Sequence, residues 1–147
     1  MKISEFLSPD ETLINIRASD KETLLAELAQ RATSKVKLSE DEILSELLKR
    51  EELGSTGMGN GVAIPHARFQ ALKKPFGIIA RLKQPIDFEA IDGQPVDIVF
   101  VLLLPTGSEG EQLGALACAA RKLRAAEDIA KLRRVKNAFD LYAVLTA

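Results

Sequence analysis

The stretch Val96-Asp97-Ile98-Val99-Phe100-Val101-Leu102-Leu103-Leu104 constrains the fold of this chain more than any other, because Asp97 is its only polar residue. A short, nearly all-apolar run of this kind reads as a central strand covered on both faces. It is far too short to cross a bilayer, which takes about 20 apolar residues in a helix. A doubly covered strand needs helices on both sides of its sheet, and the remaining sequence supplies them. The expected class is therefore α/β, with residues 1–147 as a single domain. The order of the strands is not readable from the sequence.

A short helix or turn over Ile3 to Leu7 precedes a strand at Thr12 to Arg17. Two helices in series follow, each opening on the Ser-x-x-Glu spacing of a capping box, Ser19 with Glu22 and Ser39 with Glu42. Leu24, Leu25 and Leu28 give the first helix its buried face. Ile43, Leu44, Leu47 and Leu48 do so for the second, with Gly54 in place to stop it. Gly54 to Gly61 reads as an irregular segment. Val62 to Ile64 reads as extended, because Pro65 disfavours the helical region for the residue before it. In Phe76 to Lys83 the alternating Phe76, Ile78, Ala80 and Leu82 can face a core. Ser108 and Glu111 are expected to open a third long helix, with Leu113, Leu116, Ala120 and Leu123 inward. A short helix over Asp128 to Arg134 and a terminal one capped by Asn137 complete the chain.

Charge and composition exclude several function classes. Twenty Lys and Arg against 21 Asp and Glu leave a net charge of −1, far from the positive field that nonspecific nucleic-acid binding requires. Aromatic residues are 5% and tryptophan is absent, which speaks against a base-stacking platform. One cysteine, Cys118, cannot build a disulfide framework and suits a reducing, cytoplasmic setting. No apolar signal core follows the first residues. His66 is the only histidine, so no metal site that needs two imidazoles is available, and no cofactor is expected.

The chemistry concentrates in Arg50-Glu51-Glu52-Leu53-Gly54-Ser55-Thr56-Gly57-Met58-Gly59-Asn60-Gly61-Val62-Ala63-Ile64-Pro65-His66. A loop this rich in glycine can turn several backbone N–H groups toward one point and form an anion nest, to which the Ser55 and Thr56 hydroxyls could add donors. The expected phosphate-binding set is Ser55, Thr56, Gly57, Gly59 and Arg68. Arg50 flanks the loop on its other side, and guanidinium groups suit phosphate oxygens. A neutral imidazole is a good nucleophile near pH 7 and can form a covalent intermediate. Taken alone, a histidine after a proline is more often a loop or core residue with a satisfied hydrogen bond. The loop also lacks the Lys-Ser/Thr ending of a Walker A motif, so ATP binding is unsupported.

The segment Arg50 to His66, with its core GSTGMGNGVAIPHAR, resembles the active-site signature of the enzyme IIA domains of the bacterial phosphotransferase system, fructose/mannitol class. Phe88-Glu89-Ala90-Ile91-Asp92-Gly93-Gln94-Pro95-Val96-Asp97 resembles the same class, and the chain is most similar to its nitrogen-regulatory branch, EIIA-Ntr. The resemblance covers essentially the whole chain. It implies a mixed β-sheet flanked by α-helices and a phosphotransferase-system phosphocarrier in which His66 accepts a phosphoryl group on Nε2. The donor would be a phosphohistidine carrier of the HPr or NPr type, charged from phosphoenolpyruvate through enzyme I. Arg50 matches the family's arginine ahead of the loop, which would stabilise phosphate charge. The family usually carries a second histidine at the start of the third long helix, and here the matching residue is Gln112. Glutamine can donate an amide hydrogen bond, but it carries no charge and shuttles no proton.

Three functions stay open at this level. The first is a phosphohistidine regulatory protein acting on target proteins, as relatives act on potassium transport and on nitrogen or carbon regulation. The second is a sugar-specific enzyme IIA passing phosphate to a IIB domain, and the third a binding module that has lost phosphotransfer. The basic residues of 121–136 read as a solvated helix face, with docking of an acidic partner as the alternative. Cys118 reads as an inert packed thiol, and Met58 as a gap filler or an apolar contact for a docking carrier.

Overall fold

The computed structural model describes residues 1–107 and 109–147. Among these the strands are β1 (Thr12–Ile16), β2 (Gly57–Gly59), β3 (Val62–Ala63), β4 (His66–Phe69), β5 (Phe76–Ile86) and β6 (Val96–Pro105). The helices are α1 (Lys21–Ala32), α2 (Glu40–Glu52), α3 (Glu109–Arg124), α4 (Ala126–Arg134) and α5 (Ala138–Thr146). The strands form one sheet in the order β1-β5-β6-β3-β2, with β4 also on β6. It is a mixed sheet. β1 runs parallel to β5, β5 antiparallel to β6, and β3 and β4 parallel to β6.

The apolar run is the central strand, as expected, and its side chains divide the core by parity. Val99, Val101 and Leu103 join Leu24, Leu25, Leu28, Ile43 and Leu47 in the layer beneath α1 and α2. Ile98, Phe100, Leu102 and Leu104 join Ala115, Ala119, Leu123, Ile129, Leu132, Leu141 and Leu145 beneath α3, α4 and α5. β5 divides in the same way: Ile78, Ala80 and Leu82 face α1 and α2, while Ile79 faces the other layer.

Three local expectations are corrected. The first helix is capped by Asp20, whose carboxylate accepts from the Thr23 N–H at 2.8 Å, and not by Ser19. Asp20 to Thr23 has the same spacing, and an anion at a helix N-terminus gains from the dipole. The second box, Ser39 with Glu42, is present as expected. The inward face of α3 is Gln112, Ala115, Ala119 and Leu123, whereas Leu113 is 68% exposed. Leu123 is buried as expected and Leu116 and Ala120 pack against the core, so only Leu113 departs from the expected face. Ser108, expected to open α3, lies outside the described residues.

The third correction concerns Gly54 to Gly61, of which only the start, Gly54 to Thr56, is irregular, whereas Gly57 to Gly61 forms part of a hairpin. β2 pairs antiparallel with β3, and Asn60 and Gly61 form the connection with φ of 57° and 81°. Two left-handed residues in a two-residue loop are what a type I′ hairpin demands, and Asn-Gly is its characteristic sequence.

Candidate functional site

His66 begins β4 opposite Leu102 of the central strand. β3 and β4 lie end to end along the same edge of β6, Val62 and Ala63 opposite Ile98 and Val99, then His66 to Phe69 opposite Leu102 to Pro105. Pro65 sits in the gap, where its carbonyl accepts from the Leu102 N–H at 2.9 Å. It has no N–H to give to a ladder, so the strand breaks there. Ala67 and Phe69 point into the α1/α2 layer. By strand alternation the His66 ring leaves on the side opposite to Ala67 and Phe69.

The His66 ring is partly buried, and its Nδ1 lies 2.9 Å from the Ile64 carbonyl oxygen. A carbonyl can only accept, so Nδ1 carries the proton and the lone pair of the neutral ring resides on Nε2. Burial pushes the His66 pKa below its ordinary value. The Ile64 carbonyl and the Glu51 carboxylate pull it back up, while Arg50 and Arg68 press it further down. These surroundings favour the neutral ring at neutral pH.

His66, Arg50, Arg68, Lys49, Glu46 and Leu53 line a shallow cavity of about 300 Å³. Lys49 is paired with Glu46 at 3.0 Å. Arg50 donates from Nη1 to the Gly54 carbonyl at 2.8 Å, which fixes its guanidinium at the end of α2 and leaves its other donors for a ligand. Arg68 is exposed on β4. The arrangement supplies an oriented imidazole nitrogen with two guanidinium groups at one opening. Gln112 is 6% exposed in the first turn of α3, on the inward face of that helix.

Loop groups expected to form a phosphate nest have other partners, and this corrects the reading of Ser55, Thr56 and Gly57. The Ser55 hydroxyl donates to the Phe88 carbonyl at 2.7 Å and accepts from the Gly57 N–H at 3.1 Å. The Thr56 N–H and hydroxyl both donate to the Glu51 carboxylate. The Asn60 N–H donates to Asp92 at 3.1 Å. A Cβ at Gly59 would lie 3.4 Å from the same carboxylate. The loop does bind anions, but they are the protein's own carboxylates. Backbone N–H groups of Gln94 and Asn60 hold the Asp92 pKa below its ordinary value.

Sequence reasoning missed four residues that shape this site: Lys21, Glu51, Asp92 and Arg133. Glu51 and Lys21 look like ordinary helix-surface charges. Arg133 belongs to the basic stretch read as solvated, yet it grips Asp97 through Nε and Nη2 and donates from Nη2 to the Asn60 carbonyl. The Asn-Gly pair was the one available signal, since a tight hairpin requires its turn to be held somewhere.

Gly57 is required for close approach. A Cβ there would lie 2.7 Å from the Ala90 Cβ and 2.9 Å from its Cα. Gly57→Ala should therefore cost about 1–3 kcal/mol through forced displacement of the loop, read as a lowered midpoint in urea unfolding. An unchanged midpoint would show that the contact yields freely.

Comparison with known proteins decides the family of this chain. The family model described as "Phosphoenolpyruvate-dependent sugar phosphotransferase system, EIIA 2" matches residues 5–147. The chain belongs to this family. A nitrogen regulatory protein of Bradyrhizobium diazoefficiens is 44% identical over 145 residues, covering 99% of this chain and 95% of that protein. The crystal structure of nitrogen regulatory protein IIA-Ntr from Neisseria meningitidis superposes with a TM-score of 0.93 at 35% identity, covering 98% of this chain and 99% of that one. IIA mannitol from Escherichia coli shares the fold, with a TM-score of 0.76 at 17% identity, covering 95% of this chain and 99% of that one. The resemblance to the nitrogen-regulatory branch of EIIA domains and the mixed sheet flanked by helices are both borne out. As an EIIA domain the chain belongs to a family of phosphotransfer, with a regulatory role of the phosphotransferase-system type. Among the described residues no helix is long and apolar enough to cross a membrane, and no group of His, Cys, Asp and Glu could hold a metal ion.

Proposed function

We propose that His66 accepts a phosphoryl group on Nε2 from a phosphohistidine carrier of the HPr or NPr type, and that its phosphorylation state controls binding to regulatory target proteins. The observation that carries this reading is the Nδ1 contact to the Ile64 carbonyl, which leaves the lone pair on Nε2. In the transfer the carrier's P–N bond breaks as a bond from phosphorus to Nε2 forms, and the carrier's ring nitrogen leaves with the electron pair. The His66 ring then carries phosphorus on Nε2 and the proton on Nδ1, still bonded to Ile64. Such a reaction needs mainly positioning and charge stabilisation. Arg50 and Arg68 flank the ring's cavity and supply the charge. Ser55, Thr56 and Gly57 act on the phosphoryl group only through the shape of the loop, since their donors bind the protein itself.

The modification adds roughly 1.5 to 2 negative charges at neutral pH beside a cationic opening, enough to switch an electrostatic interface. Gln112 supports signalling over rapid onward relay, because an amide at that place gives hydrogen bonds but shuttles no proton. The test is intact mass after incubation with phosphoenolpyruvate, enzyme I and an HPr-type carrier. A gain of one acid-labile phosphoryl group is expected. No gain, with active upstream proteins and folded sample, would reject the acceptor reading and leave a binding module.

A further inference from the structure

We propose that the buried ion pair of Lys21 and Glu51, linked through Thr56, is the anchor that holds the His66 ring in its reactive orientation and tautomer. This rests on the reading of His66 as phosphoryl acceptor.

The pair stands in a place that local preferences oppose. Glu51 lies in the last turn of α2, where the helix dipole disfavours an anion, and Lys21 is the first residue of α1, where it disfavours a cation. Their side chains are only 4% and 14% exposed, so both groups also bear desolvation. Each is compensated chiefly by the other, Nζ to Oε1 at 3.0 Å, with the exposed Glu89 carboxylate a further 3.8 Å partner of Lys21. Residues that break local rules in two elements at once point to a role that the global structure requires.

That role is visible in the bonds that lead away from the pair. The Glu51 carboxylate accepts from Lys21 Nζ and from both the N–H and the hydroxyl of Thr56. The Thr56 carbonyl accepts from the Ile64 N–H at 3.1 Å. The Ile64 carbonyl in turn accepts from Nδ1 of His66. One continuous chain of hydrogen bonds thus runs from α1 through the end of α2 and the loop to the nucleophilic ring. A second tether runs in parallel. Lys21 Nζ sits 4.7 Å above the centre of the Phe88 ring, and the Phe88 carbonyl holds the Ser55 hydroxyl. Arg50 precedes Glu51 in sequence, so the residue that anchors the ring also sets where the phosphate-facing guanidinium begins.

Lys21, Glu51 and Thr56 are therefore positioning residues, and the test reads the ring as well as the reaction. His66 is the only histidine, so imidazole nitrogen NMR of the unphosphorylated protein reports on it alone. The wild-type protein is expected to show a single Nδ1–H tautomer at neutral pH. Glu51→Gln and Thr56→Val should give a mixture of tautomers, and Thr56→Ser, which keeps the hydroxyl, should restore the wild-type spectrum. Single-turnover phosphoryl uptake should fall on the order of tenfold in Glu51→Gln and Thr56→Val, with carrier affinity held within about twofold.

Wild-type tautomer and uptake rate in folded Glu51→Gln would overturn the proposal, as would a wild-type ring protonated on Nε2. Should Glu51→Gln fail to fold, the Thr56→Val and Thr56→Ser pair decides on the same readouts. Failure of the acceptor reading would show separately, as absence of phosphoryl uptake by the wild-type protein, while the ring spectrum still judges the anchor.

Discussion

His66→Ala is expected to abolish phosphoryl uptake from a phosphohistidine carrier and to leave a folded protein. The loss is complete because the reaction needs a nitrogen lone pair, and no second imidazole exists in the chain to supply one. The fold survives because the ring is only partly buried, at the start of a strand whose pairing with β6 is made by backbone. Far-ultraviolet circular dichroism checks the fold, and intact mass after incubation with the upstream proteins checks uptake. Residual acid-labile phosphate at the wild-type level in His66→Ala would assign the acceptor to another residue.

The same ring sets a pH dependence whose sign follows from its surroundings. Burial, Arg50 and Arg68 hold the His66 pKa below its ordinary value near 6.5. Single-turnover uptake should then be flat across neutral pH and decline only on acidification below that ordinary value, as the lone pair is protonated. Imidazole NMR titration of the same protein gives the matching midpoint; one above 6.5 would contradict the geometry of the site. Stability follows the linkage. Between the depressed folded pKa and about 6.5 the unfolded chain binds the proton and the folded one does not. The contribution of His66 is therefore fully present above about 6.5 and shrinks as pH falls through that window, and His66→Gln removes this slope.

The second large effect concerns the central strand. Phe100→Ala should lower stability by about 3–5 kcal/mol, as deletion of a buried aromatic ring does. Phe100 is fully buried at 0% exposure, opposite Ile79 of β5, with its ring centre 6.1 Å from that of Phe6. Against a typical total of about 5–15 kcal/mol this is roughly a fifth or more of the whole, with a fall in melting temperature of roughly 10–15 °C. Phe139 is 75% exposed on α5, and Phe139→Ala should change stability by less than about 0.5 kcal/mol. Urea unfolding of both variants tests the contrast. Equal effects would mean that the two layers of the core do not bear the load that burial assigns them.

Much of the architecture was legible because it rests on short-range rules. The run Val96 to Leu104 announced a doubly covered strand. Leu24, Leu25 and Leu28 announced a buried helix face, and Ser39 with Glu42 and Asn137 announced helix starts. Each of these is a choice that the local chain makes against water or against its own backbone, so the residues involved stand close together in sequence. The candidate site was legible in outline for a different reason: a lone histidine after Pro65, behind a glycine-rich loop, carries a recognisable family pattern.

The rest depended on partners far apart in sequence. Gln112 faces inward and Leu113 outward. Glu51 reads as a surface carboxylate until Lys21 and Thr56 are brought to it. The hydroxyls of Ser55 and Thr56 read as phosphate donors until Phe88 and Glu51 claim them. By itself the sequence determined most of the helices and the main strands, which faces of most of them seek cover, and which residue is the candidate nucleophile. Only the tertiary structure decided which buried charges pair, where the loop donors go and which ring nitrogen is free. Hydrophobic patterning is a property of neighbours along the chain, whereas a buried hydrogen-bond network is satisfied only by groups that folding brings together.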